Sequence, residues 1–229
     1  MKPVLTLTFT LIFQFLTVVT AFGQHELNQQ DDQGRRFGYW EGRYPNGNLR
    51  YKGQFSNNRP IGLFEYFFED GTLRATNTFE TGGVKAYHKS FSKSGILIAE
   101  GIYLNQKKDS IWLFYSDADG ALLSEESYQH GQLHGLTRVF YPKTSKIAEE
   151  TPYENGMKQG LSKHYFESGA LMSETFFVED LPHGRFVVYY ENGKVQVEGR
   201  YDHGLKIGLW KTYDEQGALT GEESYKERE

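Results

Sequence analysis

The chain has 229 residues, 36 of them aromatic and 25 glycine, with no cysteine and a formal net charge of −5. The missing cysteines exclude a disulfide framework, a thiolate-ligated zinc or iron–sulfur centre, a cysteine nucleophile and a lipid-anchored lipoprotein. An aromatic content of 16% excludes ordinary disorder despite a mean hydropathy of −0.62, and mild acidity without a basic block argues against nucleic acid as partner.

Residues 1–23 read as a secretory signal peptide. Lys2 is their one charge, an apolar run covers Val4 to Thr20, and Ala21-Phe22-Gly23 places small residues where a signal peptidase cuts. An uncleaved membrane anchor is the competing reading, weakened by Gln14 and the threonines within a run barely long enough to span. Export to a periplasm, a cell surface or the medium is therefore expected. Residues 24–37 fit no later pattern and read as a flexible lead-in.

From Gly38 to residue 229 the chain repeats itself. Modules start at Gly38, Gly62, Ala86, Ser110, Gly135, Gly160, Gly184 and Gly208, in steps of 24 or 25 residues. Positions are numbered here as offsets from each start, with modules four and five carrying one extra turn residue. Offset 9 is glycine in seven modules, offset 11 is Leu, Ile or Val, and offset 17 is always aromatic. Each module reads as one β-hairpin. Its first strand runs near offsets 1–7 and its second near 10–17, joined by pairs such as Asn46-Gly47, Asp70-Gly71 and Asn192-Gly193. Such pairs predict a two-residue type I′ turn at offsets 8 and 9. A second, looser turn follows near offsets 18–23.

That turn sets a register in which offset 3 faces 14 and offset 2 faces 15. The register pairs Lys89 with Glu100, Arg138 with Glu150, Lys163 with Glu174, Lys211 with Glu222 and Glu41 with Lys52, always opposite in sign. It also sets Gly53, Gly101 and Gly199 against Trp40, His88 and Phe186, rings expected to cover the strand glycines. One face then carries offsets 2, 6, 11 and 17, and the other carries 1, 3, 5 and 14. The expected fold is all-β: an elongated, twisted, antiparallel single-sheet solenoid of about eight hairpins with no globular core.

The stretches Gly208-Leu209-Trp210-Lys211-Thr212-Tyr213 and Tyr189-Tyr190-Glu191-Asn192-Gly193, with His134-Gly135 and His183-Gly184 at module joints, resemble the bacterial MORN-repeat variant of the YwqK-family antitoxin type. The resemblance covers residues 38–229. It implies a scaffold that binds proteins or lipids, and the antitoxin type implies neutralising a partner. Ala86 and Ser110 depart from it at the leading glycine, and His88 replaces the usual Trp.

Chemistry is sparse. Equivalent glutamates lie two strands apart, roughly 9.6 Å, near the carboxyl spacing of an inverting glycosidase. A uniform row with basic partners supplies no asymmetry, so no catalytic residue is expected. The seven histidines read as turn residues spread along a rod, so no metal site or cofactor is expected either. The offset-5 row is the candidate partner surface: Phe67, Phe91, Tyr115, Phe140, Tyr165, Tyr189 and Tyr213. Its occupant is expected to be a protein, such as a toxin or an envelope protein, with a glycan as the alternative. The rings could instead stack along the rod for structural reasons alone.

Overall fold

The computed structural model describes residues 26–80 and 82–227, and these contain strands and turns but no helix. No helix among them is long and apolar enough to cross a membrane. The signal-peptide expectation for residues 1–23 lies outside the described residues. Nineteen strands form an open antiparallel sheet, each paired with its sequence neighbours. Sixteen of the strands are the two arms of eight module hairpins, from Arg36–Arg43 and Leu49–Ser56 to Leu205–Tyr213 and Leu219–Tyr225. The two-residue strands Gln132–Leu133 and Met157–Lys158 are arms interrupted just before Gly135 and Gly160.

The lead-in takes part in this sheet from residue 29 onward. Gln29 and Gln30 pair with Phe37 and Arg36, and Asn28 Oδ1 accepts the Glu41 amide at 2.9 Å. Asp31 ties the intervening turn, accepting from the backbone amide and the side chain of Arg35 at 2.9 and 2.7 Å. This short hairpin covers part of the first strand's free edge, which would otherwise present unpaired backbone groups.

The two kinds of turn are the reverse of the expectation. At offsets 8 and 9 the loop has three residues: Gly47 N donates to Tyr44 O and Tyr44 N donates to Asn48 O, both at 2.9 Å. The same pair of bonds recurs around Gly71, Gly95, Gly169, Gly193 and Gly217. Gly47 alone of its loop has positive φ, at 88°, which is a type I turn closed by a glycine bulge. Asn46 serves through its side chain, whose Oδ1 accepts the Asn48 amide at 2.9 Å, and Asp70 and Asn192 do likewise. Pro45, with φ preset for the second position of a type I turn, was the available signal. The type I′ turns lie at the joints instead. Asn57-Asn58 (φ 50° and 65°), Glu179-Asp180 (48° and 66°) and His203-Gly204 (44° and 85°) all hold two consecutive residues in the left-handed region.

The expected register nevertheless holds through most of each hairpin. The longer loop shifts pairing by one residue, and a bulge between offsets 4 and 5, as between Gly42 and Arg43, shifts it back. Glu41 therefore faces Lys52, Lys89 faces Glu100 and Trp40 faces Gly53. Near the turn the register differs. Offset 11 pairs with offset 5, not 6: Leu73 with Phe67, Leu97 with Phe91 and Leu219 with Tyr213. The aliphatic row thus belongs to the face of the offset-5 rings.

Burial comes from the face of offsets 2, 15 and 17. The ring that covers each strand glycine belongs to the next module, not to the glycine's own hairpin partner. A Cβ on Gly53 would meet the Phe64 ring at 2.4 Å, one on Gly101 the Trp112 ring at 2.3 Å, and one on Gly199 the Trp210 ring at 2.2 Å. Those rings then meet offset-17 rings edge to face: Phe55–Phe64 at 5.1 Å, Tyr103–Trp112 at 4.8 Å and Tyr201–Trp210 at 5.0 Å. Cations lie over the ends of this zipper, Arg36 4.0 Å from the Phe55 ring and Lys206 4.3 Å from Trp210. Trp112 is only 2% exposed. In the middle of the sheet Thr151 and Ser162 replace the glycine and the ring, fully buried and bonded to each other at 2.6 Å.

Between modules most joints carry a bulge with the leading residue in the left-handed region, as at Gly62 (φ 64°) and Gly208 (φ 63°). Ser110 adopts the same backbone at φ 59°, and Ser145 does so at φ 55° in the loop lacking its offset-9 glycine. Ala86 avoids the strain differently, because strand pairing there runs from Ala75–Ser90 to Phe79–Ala86 without a shift.

Two outcomes are expected in thermal or urea unfolding. Ser110→Gly and Ser145→Gly should each stabilise by about 0.5–1 kcal/mol, since relief of roughly 1–2 kcal/mol of left-handed strain exceeds the added chain entropy. Trp112→Ala should cost about 3–5 kcal/mol, because it empties the site above Gly101.

Candidate functional site

The charged face carries offsets 1, 3, 5 and 14. Four of the expected cross-strand pairs form ion pairs: Lys89–Glu100 at 3.3 Å, Arg138–Glu150 at 3.1 Å, Lys163–Glu174 at 4.0 Å and Lys211–Glu222 at 3.7 Å. In module one Lys52 reaches across the joint to Glu65 at 2.8 Å, while Glu41 takes Arg43 at 2.8 Å. Arg138 also bridges to Glu125 of the preceding module at 2.6 Å.

Each of the seven offset-5 rings is half-buried. Two interactions hold them. Each ring faces the offset-11 aliphatic side chain across its hairpin. Each tyrosine of the row also donates its hydroxyl to the glutamate of the module before: Tyr115 to Glu100 at 2.8 Å, Tyr165 to Glu150 at 3.0 Å, Tyr189 to Glu174 at 3.3 Å and Tyr213 to Glu198 at 2.9 Å. The row is therefore a Tyr–Glu ladder laced along the sheet. On the opposite face the offset-6 tyrosines bind the same strand positions from behind. Tyr44 donates to Phe67 O at 2.8 Å, Tyr141 to Tyr165 O at 2.7 Å and Tyr190 to Tyr213 O at 2.8 Å.

The surface this face leaves open is the offset-1 row, which sequence reasoning missed. Leu63 and Ile111 are each 52% exposed and Leu209 48%, with Tyr39, Tyr87 and Leu161 exposed in register with them. Shallow grooves run between these side chains and the ion pairs. One of about 510 Å³ is lined by Tyr39, Glu41, Lys52, Gln54, Leu63 and Glu65 among others, and one of about 260 Å³ by Leu161, Glu174, Phe176 and Arg185. The available signal was an apolar residue at offset 1 in seven modules, with Arg185 the exception.

Adjacent glutamates such as Glu125 and Glu126 lie on opposite faces of the sheet. Glu125 bonds Arg138 on the charged face, whereas Glu126 accepts the Tyr128 hydroxyl at 2.6 Å, beneath Lys108 on the ring face. Neighbours along a strand point to opposite sides. The histidines are less scattered than expected. His183 and His203 meet at one joint with ring centroids 4.9 Å apart, beside Asp202, because the turn of one module lies against the first strand residues of the same hairpin.

Partial burial and the neighbouring glutamates set the acidity of the ladder tyrosines. Burial, then the bond to Glu100, pushes Tyr115 up to about 12, and Tyr165 and Tyr189 rise for the same kinds of reason. In Tyr213 the bond to Glu198 is the larger cause. A raised folded pKa means that the neutral phenol stabilises the fold fully below the unfolded value near 10. That stability is lost as pH rises through about 12. Ultraviolet titration should show the ladder tyrosines ionising above the ordinary phenol range, together with loss of the β-sheet circular dichroism signal. Tyr115→Phe should cost about 1 kcal/mol and reduce that alkaline sensitivity.

A search of curated proteins finds no match to the chain. The family model described as MORN repeat variant matches at residues 38–57, 158–179, 182–203 and 206–227, which are essentially modules one, six, seven and eight. At these four places the chain is similar to MORN repeats, and the hairpin-ordered sheet is the architecture of a repeat scaffold.

Proposed function

We propose that this repeat scaffold is an exported, non-catalytic protein that holds a protein partner against its charged face. The observation that carries the reading is the exposed offset-1 row, in which apolar side chains recur in seven of the eight modules between ordered ion pairs. An apolar stripe of that kind, rimmed by charge, is the usual form of a protein-docking surface. The contact row differs from the aromatic row expected from sequence. The offset-5 rings are held by leucines and glutamates, so their part is to stiffen the platform from which the offset-1 side chains project. Residues 1–23 support export, and an exported toxin or an envelope protein is the class of partner this proposal favours. The leucine and isoleucine side chains of the row favour protein over glycan, since sugars stack on open ring faces.

The test is crosslinking in cells that export the chain, followed by purification and mass spectrometry. Replacing Leu63, Ile111 and Leu161 together by Asp should lower recovery of one protein partner at least about tenfold, roughly 1.4 kcal/mol, with an unchanged circular dichroism spectrum. Equal recovery would overturn the proposal. Retention on peptidoglycan or polysaccharide that the same substitutions abolish would favour the glycan reading instead.

A further inference from the structure

The joint that leads from module seven into module eight brings two imidazoles and a carboxylate together. His203 Nδ1 lies 2.7 Å from Asp202 Oδ1, and His183 Nδ1 lies 3.4 Å from the same oxygen. One donor atom from each of the three residues falls within 4.8 Å of the others. Tetrahedral coordination with metal–nitrogen and metal–oxygen bonds of about 2.0–2.1 Å spaces its donors by roughly 3.3–3.4 Å. The His183–Asp202 separation equals that value and the His203–Asp202 separation is shorter, so an ion is accommodated by rotating His203 away from the carboxylate.

The backbone holds these donors in place before any ion arrives. His203 and Gly204 form the type I′ turn, at φ 44° and 85°. Gly204 N donates to Pro182 O at 2.8 Å, which fastens the turn to the residue before His183. His183 Nδ1 is buried and makes no hydrogen bond of acceptable geometry, although the ring stays partly open to solvent. A buried imidazole nitrogen left in that condition is one that coordination would satisfy.

The repeat itself shows that the architecture does not ask for these residues. The turn position of His203 is asparagine in three other modules, Asn57, Asn105 and Asn155, and histidine in one, His130, and asparagine adopts left-handed backbone more readily than histidine. The position of His183 is Ile61 and Ile207 at other joints, and that of Asp202 is Ser56 and Leu104. At the one other joint with a histidine in the His183 position, His134, the partners are Glu154 and Asn155. The full set of His, Asp and His stands at one joint.

We infer that His183, Asp202 and His203 form a binding site for a divalent late first-row transition metal ion, zinc above all. Two imidazole nitrogens and one carboxylate oxygen suit zinc, cobalt, nickel or copper and disfavour magnesium and calcium, which select oxygen donors. Three protein donors leave a fourth position for water or for a donor from a docked partner. The ion would clamp the turn that follows module seven to that module's first strand, next to the exposed Leu205.

Zinc titrated into the full chain under calorimetry should bind at one site per chain and raise the melting temperature, while magnesium and calcium should do neither. His203→Asn keeps a residue suited to the turn, and with Asp202→Asn it tests the donors without disturbing the fold, checked by circular dichroism. Each variant should weaken zinc binding at least about tenfold. Absence of saturable zinc binding to the wild-type chain would overturn the site. So would equal binding by both variants, which would assign the ion to His130, His134 or other histidines.

Discussion

The arrangement of the described residues follows from a sheet that has no second layer among them to pack against. A β-sheet ordinarily buries one face on helices or on another sheet. Here each strand must find its apolar neighbour on the strands beside it. The solution is a large ring laid on a glycine of the adjoining module, as Trp112 lies on Gly101 and Trp210 on Gly199. Glycine is required because any Cβ would occupy the ring's own space. The ring then reaches the edge of an offset-17 ring, and the contact passes from module to module. Stability in such a chain is close to a sum of neighbour terms, with no central core to lose at once.

That constraint also divides the two faces. The ring face is consumed by packing, to the point that cations at Arg36, Lys108 and Lys206 lie across its aromatic edges. The opposite face has no such demand, and its polar groups are organised by the chain itself. Tyrosine hydroxyls meet glutamates one module back, glutamates meet lysines and arginines across the hairpin, and leucines brace the tyrosine rings. A face so ordered costs little to dock, because its side chains have already lost their freedom. What this face leaves exposed is the apolar row at offset 1.

The departures from the repeat are informative in the same terms. Ala86 marks a joint where the strands pair without a bulge, so a glycine is not needed. Ser110 marks one where the bulge persists and the side chain bears its strain. Thr151 and Ser162 replace a glycine and a ring with two small hydroxyls that satisfy each other. His183 and His203 occupy positions that His134 and His130 hold at another joint, and among the described residues it is at this joint that two imidazoles come together with a carboxylate.

Period, the sixteen hairpin arms and cross-strand charge pairing were legible in the residues alone, because a repeated hairpin writes its register into residue types eight times over. The flaw in that reading was local and self-cancelling. Asn-Gly was read as a type I′ turn, although Pro45 and the side-chain bond of Asn46 favour a type I turn with a glycine bulge. A second bulge then restored the register, so the charge pairs came out right while offset 11 was placed on the wrong face. Which ring covers which glycine, which row stays exposed and which histidines meet were beyond such a reading. Those depend on the stagger between one hairpin and the next, and that stagger is set by left-handed residues and bulges at the joints, whose effect appears once the strands are laid side by side.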